Sequence, residues 1–224
     1  MSITSPIIPA IIPTSVADLA ATIHSLGPVP ELHVDVVDGQ FVSFRSWPYI
    51  TPDSPLSALS ILAPYTLEVD LMVLDPVAAA ADWMRVGADR LVFHTESISV
   101  TAFKRFSEET SITVGIAALN DTPFAELEAY VPYADFVQVM GIAAIGAQGQ
   151  PFDERVIERI ARLRSIYPQL AISLDGSVNA STLARLLALG LDRYIMGSAI
   201  VQAENPATAY LEFSRLAHIR ESGE

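Results

Sequence analysis

Short runs of apolar, largely β-branched residues alternate along the whole chain with stretches of helical period, and turn residues separate them. The first run, over 7–12, carries Pro9 inside it and Pro13 just after it, which suits a buried strand bounded by a loop. Thr14 or Ser15 then offers an N-cap to a helix with Leu19, Ile23 and Leu26 on one face. A second strand over 32–37 runs into a loop rich in Ser, Pro and aromatic residues at 44–55, then a short helix over 56–62. A third strand over 66–73 precedes Pro76 at a helix N1 position, and Gly87 closes that helix after Arg85. The alternation continues with strands over 90–94, 112–117, 136–140, 170–174 and 193–196. The helices paired with them are predicted over 100–109, 123–130, 154–166, 179–189 and 206–219. Eight strand-helix units with short connections predict an α/β protein, a closed (β/α)₈ barrel over 1–224 as one domain, with a doubly wound open sheet as the alternative.

Composition narrows the partners. A formal charge of −13 on 224 residues repels polyanions, so nucleic acid and anionic membrane are excluded as expected partners. Any phosphate would have to be held by backbone N–H groups and helix N-termini. The chain has no cysteine, which removes disulfide and thiolate chemistry and fits a reducing compartment. The N-terminus lacks a basic region before its apolar run and no run reaches spanning length, so the expectation is a soluble, cytoplasmic protein.

Barrel enzymes build their sites at the C-terminal ends of the strands, so polar residues there are the candidates. Strand alternation puts His33, Asp35 and Val37 on one face, and Glu68, Asp70 and Met72 on one face of the next strand. A buried His-Asp pair two residues apart is costly unless the groups pair with each other, hydrogen-bond or hold a metal, and each outcome stays open from this stretch. Asp175 ends the seventh strand and reads either as a turn cap or as a second acid facing Asp35 across the barrel. Two carboxylates flanking one carbon are what proton removal from one face and return to the other require. Glu68 reads as a partner for a neighbouring side chain inside the barrel, Met72 as core or site wall, and His94 with Glu96 as a supporting pair behind the site. Gly176-Ser177 and Gly197-Ser198 place small residues between strand end and helix start at neighbouring strands, where backbone N–H groups can face an anion. The loop from Gly146 to Gly149 adds a flexible wall.

These residues together resemble the ribulose-phosphate 3-epimerase family over nearly the whole chain. The carriers are LHVDVVDGQFV from Leu32, DLMV from Asp70 with Pro76 after it, GADRLVFHTE from Gly87, VGIAALNDTP from Val114, VMGIAAIGAQGQPF from Val139, LDGSVN from Leu174 and MGSAIV from Met196. The resemblance implies a TIM barrel of the ribulose-phosphate-binding type, interconverting ribulose 5-phosphate and xylulose 5-phosphate in the pentose phosphate pathway. It further implies one divalent metal ion (Zn, Fe, Mn or Co) and an oligomer, a dimer or larger. Carried onto this sequence, Asp35 and Asp175 are metal-bound acid and base, and His33 is a ligand. Asp70 stands where the family has its second ligand His. Met72 and Met140 line the substrate site, with Gly146, Gly149, Gly176, Ser177, Gly197 and Ser198 around the sugar phosphate.

The chain departs from the family pattern at Asp70, at Ala10 in place of a Ser, at Val37 in place of a Met, at Ser43 and Phe44 in place of Pro-Asn, and in a loop before Phe152 one residue longer. Those departures motivate a second expectation, an epimerase-like protein with impaired catalysis that binds a sugar phosphate. A third, a barrel of the decarboxylase and hexulose-phosphate synthase group, ranks last because Met72 stands where that group's D-x-K-x-x-D run has its Lys.

Overall fold

The computed structural model describes residues 5–146 and 149–221, with side chains up to 218. Eight strands pair in parallel in sequence order and the last returns to the first, closing a barrel. The strands are β1 (Ile7–Ile11), β2 (Glu31–Val37), β3 (Thr66–Met72), β4 (Arg90–His94), β5 (Thr113–Ala118), β6 (Phe136–Met140), β7 (Ala171–Asp175) and β8 (Arg193–Met196). Around them lie α1 (Val16–Leu26), α2 (Leu59–Leu62), α3 (Pro76–Val86), α4 (Val100–Glu109), α5 (Phe124–Glu128), α6 (Arg155–Ile166), α7 (Leu183–Leu187), α8 (Ser198–Val201) and α9 (Pro206–Glu221). Among the described residues no helix is long and apolar enough to cross a membrane.

The two-residue strand period sorts side chains into two populations. Outward residues such as Val34, Val36, Leu67, Val69, Leu71, Leu91 and Phe93 join Leu19, Trp83 and Phe103 of the helices in one apolar layer. Each such side chain fully buried there stabilises the fold by about 1.5–3 kcal/mol. Inward residues are of another kind. Val37, Met72, Val92, Ala117 and Met140 make a small apolar cluster with Ile142 and Ile145 beyond the strands. Among and beneath them His33, Asp35, Glu68, Asp70, His94, Gln138 and Ser173 are buried polar groups.

Helix ends follow local chemistry. Ser15 caps α1 through Asp18 N, and Asp75 caps α3 through Ala78 N with Pro76 at the first turn. The helix expected over 123–130 is confined to α5 and followed by a 3₁₀ turn at Val131–Tyr133, because Pro132 lacks an N–H and cannot continue an α-helix. The helix expected over 179–189 shortens to α7. Asn179 accepts from Ser181 N and Thr182 Oγ1 donates to Ser177 O, so these side chains hold 179–182 as a turn. The expected 56–62 helix divides into a 3₁₀ turn at Pro55–Ala58 and α2, and α8 is an element that the apolar pattern does not separate from its surroundings.

Candidate active site

The inward faces of β2, β3 and β7 supply the candidate acids. Register pairs His33 with Glu68 and Asp35 with Asp70 across β2 and β3, so four polar side chains stack as two rungs. Asp175 arrives from the other direction, paired with Met140 of β6 and Ile195 of β8. His33, Asp35, Asp70 and Asp175 each present one ligand atom, and these atoms lie within 4.8 Å of one another.

His33 is held at both ring nitrogens: Nδ1 lies 2.8 Å from Glu68 Oε1, and Nε2 lies 3.2 Å from Asp35 Oδ1 and 4.0 Å from Asp70 Oδ2. Glu68 is fixed in turn by Arg90 Nε at 2.7 Å and Arg193 Nη2 at 3.1 Å, and Arg193 reaches Glu31 at 2.7 Å. Burial alone would raise the Glu68 pKa, but the His33 hydrogen bond and the nearby Arg193, His33 and Arg90 charges outweigh it and hold the group well below the usual carboxylate range. Burial would lower the His33 pKa, yet Asp35 and Glu68 raise it well above an ordinary imidazole. The same balance, with Asp70 as the main partner at 2.7 Å from Nε2, raises the pKa of His94.

Asp35 and Asp175 behave oppositely to Glu68. Burial raises the Asp35 pKa, with His33 opposing and Asp70 adding to the rise. Burial and then the Asp35 charge push Asp175 up to about 8. Among the described residues no lysine or arginine pairs with Asp35, Asp70 or Asp175. Three carboxyls and one imidazole, close together and short of positive charge, form a donor set that a divalent cation fits. Glu68 completes the fit by taking the Nδ1 side of His33, which leaves Nε2 toward the carboxyls.

Above this cluster a cavity of about 150 Å³ opens at the C-terminal end of the barrel. Asp35, Asp175, Met72, Met140, Gly146, Gly149, Gly176, Ser177, Gly197 and Ser198 all line it, with Ala10, Ile12, Ile142, Ile145, Gln150 and Asn179. His33 and Asp70 lie outside that lining and are fully buried. Residues 147 and 148 of the loop between Gly146 and Gly149 fall outside the described residues. Gly176 at φ 95° and Ser177 at φ 54° make two successive left-handed residues, a backbone form that glycine enters without strain. Gly141 is required by crowding: a Cβ there would stand 2.1 Å from the Gly176 carbonyl oxygen.

Two residues take places that sequence reasoning did not assign. Gln138 donates to Asp70 Oδ2 at 2.7 Å from the far side of the barrel, and a polar residue in the otherwise apolar run FVQVM was its only signal. Arg193 joins the Glu68 network although it begins a strand, where a solvated side chain is the usual reading. Glu96 does not pair with His94; it accepts from Leu119 N at 2.9 Å and from Thr122 Oγ1.

Comparison with known proteins adds a family, relatives and likenesses of fold. Residues 6–201 match the model of the ribulose-phosphate 3 epimerase family. A ribulose-phosphate 3-epimerase of Mycobacterium bovis is 27% identical over 217 residues, covering 94% of this chain and 92% of the relative. A ribulose-phosphate 3-epimerase of Treponema pallidum is 30% identical over 174 residues, covering 75% of this chain and 77% of the relative. Among solved structures, 3-hexulose-6-phosphate synthase from Salmonella typhimurium superposes with a TM-score of 0.70 at 15% identity, covering 95% of this chain and 98% of that one. KGPDC from Streptococcus mutans superposes with a TM-score of 0.70 at 15% identity, covering 95% of this chain and 96% of that one. These last two are likenesses of fold.

Proposed function

We propose, for a chain that belongs to the ribulose-phosphate 3 epimerase family, that it is a ketose-phosphate 3-epimerase acting on ribulose 5-phosphate and xylulose 5-phosphate or a close analogue. The observation that carries this reading is the meeting of Asp35 and Asp175, from β2 and β7, at one cavity. A sugar held between them has its C3 hydrogen removed by one aspartate, giving an enediolate, and a proton returned to the opposite face by the other. In the reverse direction the two exchange roles. His33, Asp35, Asp70 and Asp175 are the side chains that would hold one divalent ion, whose charge would stabilise the developing enediolate oxygens. Met72 and Met140 give the sugar an apolar wall, while Gly146, Gly149, Gly176, Ser177, Gly197 and Ser198 line the end where the phosphate would sit. In this reading residues 1–224 form one barrel domain, working in the cytoplasm as a dimer or larger oligomer.

A second reading, a protein that binds the sugar phosphate without turning it over, is favoured by Asp70, whose two oxygens already accept from His94 and Gln138. One experiment separates the two. Elemental analysis of the purified chain is followed by an epimerisation assay across ketose phosphates with Mn, Fe, Co and Zn, in deuterated water. Chelator-sensitive conversion with deuterium at C3, lost in Asp35→Asn and Asp175→Asn, is the expected result. Binding without exchange would establish the second reading.

A further inference from the structure

We infer that Gln138 is a positioning residue for the ion site, its side-chain amide holding the Asp70 carboxylate in the orientation that leaves an oxygen lone pair for a divalent cation. The inference rests on the reading that His33, Asp35, Asp70 and Asp175 bind such a cation.

Asp70 is fully buried and lies outside the cavity lining, so its usefulness as a ligand depends on where its oxygens are aimed. A carboxylate offers about four lone-pair sites. His94 Nε2 takes one on Oδ1 at 2.7 Å, and Gln138 Nε2 takes one on Oδ2 at 2.7 Å. The two donors come from β4 and β6, on different sides of Asp70, and together they stop the carboxylate from turning about its last side-chain bond. Oδ2 keeps a second lone pair and stands 4.0 Å from His33 Nε2, too far for a hydrogen bond. A freed Asp70 would need to move only about 1 Å to reach hydrogen-bond distance from that imidazole. Such a contact would turn an Asp70 oxygen away from the ion and give His33 Nε2 a second carboxylate beside the Asp35 oxygen that it already meets at 3.2 Å. Gln138 therefore keeps Asp70 and His33 apart.

The amide itself is poorly served by its surroundings. Gln138 is fully buried, and its Oε1 has no hydrogen-bond partner among the described residues. An unpaired buried carbonyl works against folding, and an apolar side chain of the same shape would avoid that cost. What the residue supplies is the N–H at Asp70.

The test measures Mn²⁺ binding by calorimetry on the full chain after chelator treatment, with thermal melts alongside. Gln138→Met keeps the shape and removes the donor. It should bind Mn²⁺ about 10–100-fold more weakly than the wild type, while its metal-free melting temperature does not fall in proportion. Gln138→Asn, whose amide falls short by one methylene, should lie between and carries the test if the Met variant does not fold. In an Asp70→Asn background, Gln138→Met should weaken Mn²⁺ binding no further, because the amide acts through Asp70. Unchanged or tighter binding in the Gln138 variants, or losses that add to that of Asp70→Asn, would overturn the inference alone. A wild-type chain that binds no Mn²⁺ at millimolar concentration would overturn the metal reading and this inference with it.

Discussion

The barrel interior carries charge at two levels, and they are built on opposite terms. At the lower level two acids, Glu31 and Glu68, meet two guanidiniums, Arg90 and Arg193. At the upper level, among the described residues, three aspartates have the imidazoles of His33 and His94 as their nearest basic groups and no lysine or arginine. Desolvation acts on both, but the lower level has opposite charge at hand and Glu68 stays ionised. The upper level has two imidazoles against three carboxyls, and burial drives Asp35 and Asp175 toward their protonated forms. A balanced buried network holds the strands and His33 in place. An unbalanced one is settled by a proton or a cation, which is the property that a proton-transfer site needs.

The largest effect should come from the upper level. Asp175→Asn, or Asp35→Asn, is expected to lower kcat by about 10²–10⁴-fold. The Asp175 variant should keep or gain stability in urea unfolding, since the amide replaces a carboxyl whose ionisation is opposed by desolvation and by Asp35. Marked destabilisation would mean that the aspartates support the fold as the lower network does. At the lower level the outcome should invert. Glu68→Leu leaves Arg193 and Arg90 without their shared partner and is expected to cost about 3–5 kcal/mol in urea unfolding. A cost under about 1 kcal/mol would show that the two levels do not differ in the way their charges are used.

A divalent ion should separate the levels by ligand linkage. Chelator-treated protein is expected to gain about 2.7 kcal/mol of stability at an ion concentration one hundred times Kd, read as a rise in Tm. The Asp35→Asn, Asp175→Asn double variant should gain little, whereas a lower-level variant that still folds should respond to the ion. The smallest effect belongs to the solvated rim, where Asp153 contacts Arg155 and Asn120. The Arg155 hydrogen bonds hold the Asp153 pKa down at about 2, against an ordinary 3.8. A depressed carboxylate pKa stabilises the fold above the unfolded-state value, and that contribution is lost as pH falls from about 4 toward 2. Solvent around Arg155 limits it to about 1 kcal/mol. Asp153→Asn should therefore flatten the acid limb of the stability curve slightly, measured by urea titration at successive pH values.

Much of this was legible in the linear chain. The period-two runs placed His33 and Asp35 on one face, and Glu68 and Asp70 on another, and the register of β2 on β3 brings the two pairs side by side. The Gly-Ser steps after β7 and β8 line the cavity together, as expected from small residues at neighbouring strand ends. Less legible were elements decided by single side chains. Pro132 cut one helix short, and Asn179 and Thr182 delayed another, because local hydrogen bonds compete with helix formation on nearly equal terms. Gln138 was illegible for a different reason: its partner Asp70 lies 68 residues away, and nothing local marks the contact.

The pattern of apolar and polar positions was sufficient to determine that eight βα units would form, which faces the strands would bury, and which acids would stand near strand ends. Those are local consequences of backbone period and of the cost of solvating apolar surface. Only closure of the barrel decided that Asp35 and Asp175 share a cavity, that Glu68 answers to two arginines, and that Asp70 is held by His94 and Gln138. Those outcomes depend on distances between segments far apart in the chain, and both Coulomb energy and hydrogen bonding fall away within a few ångströms.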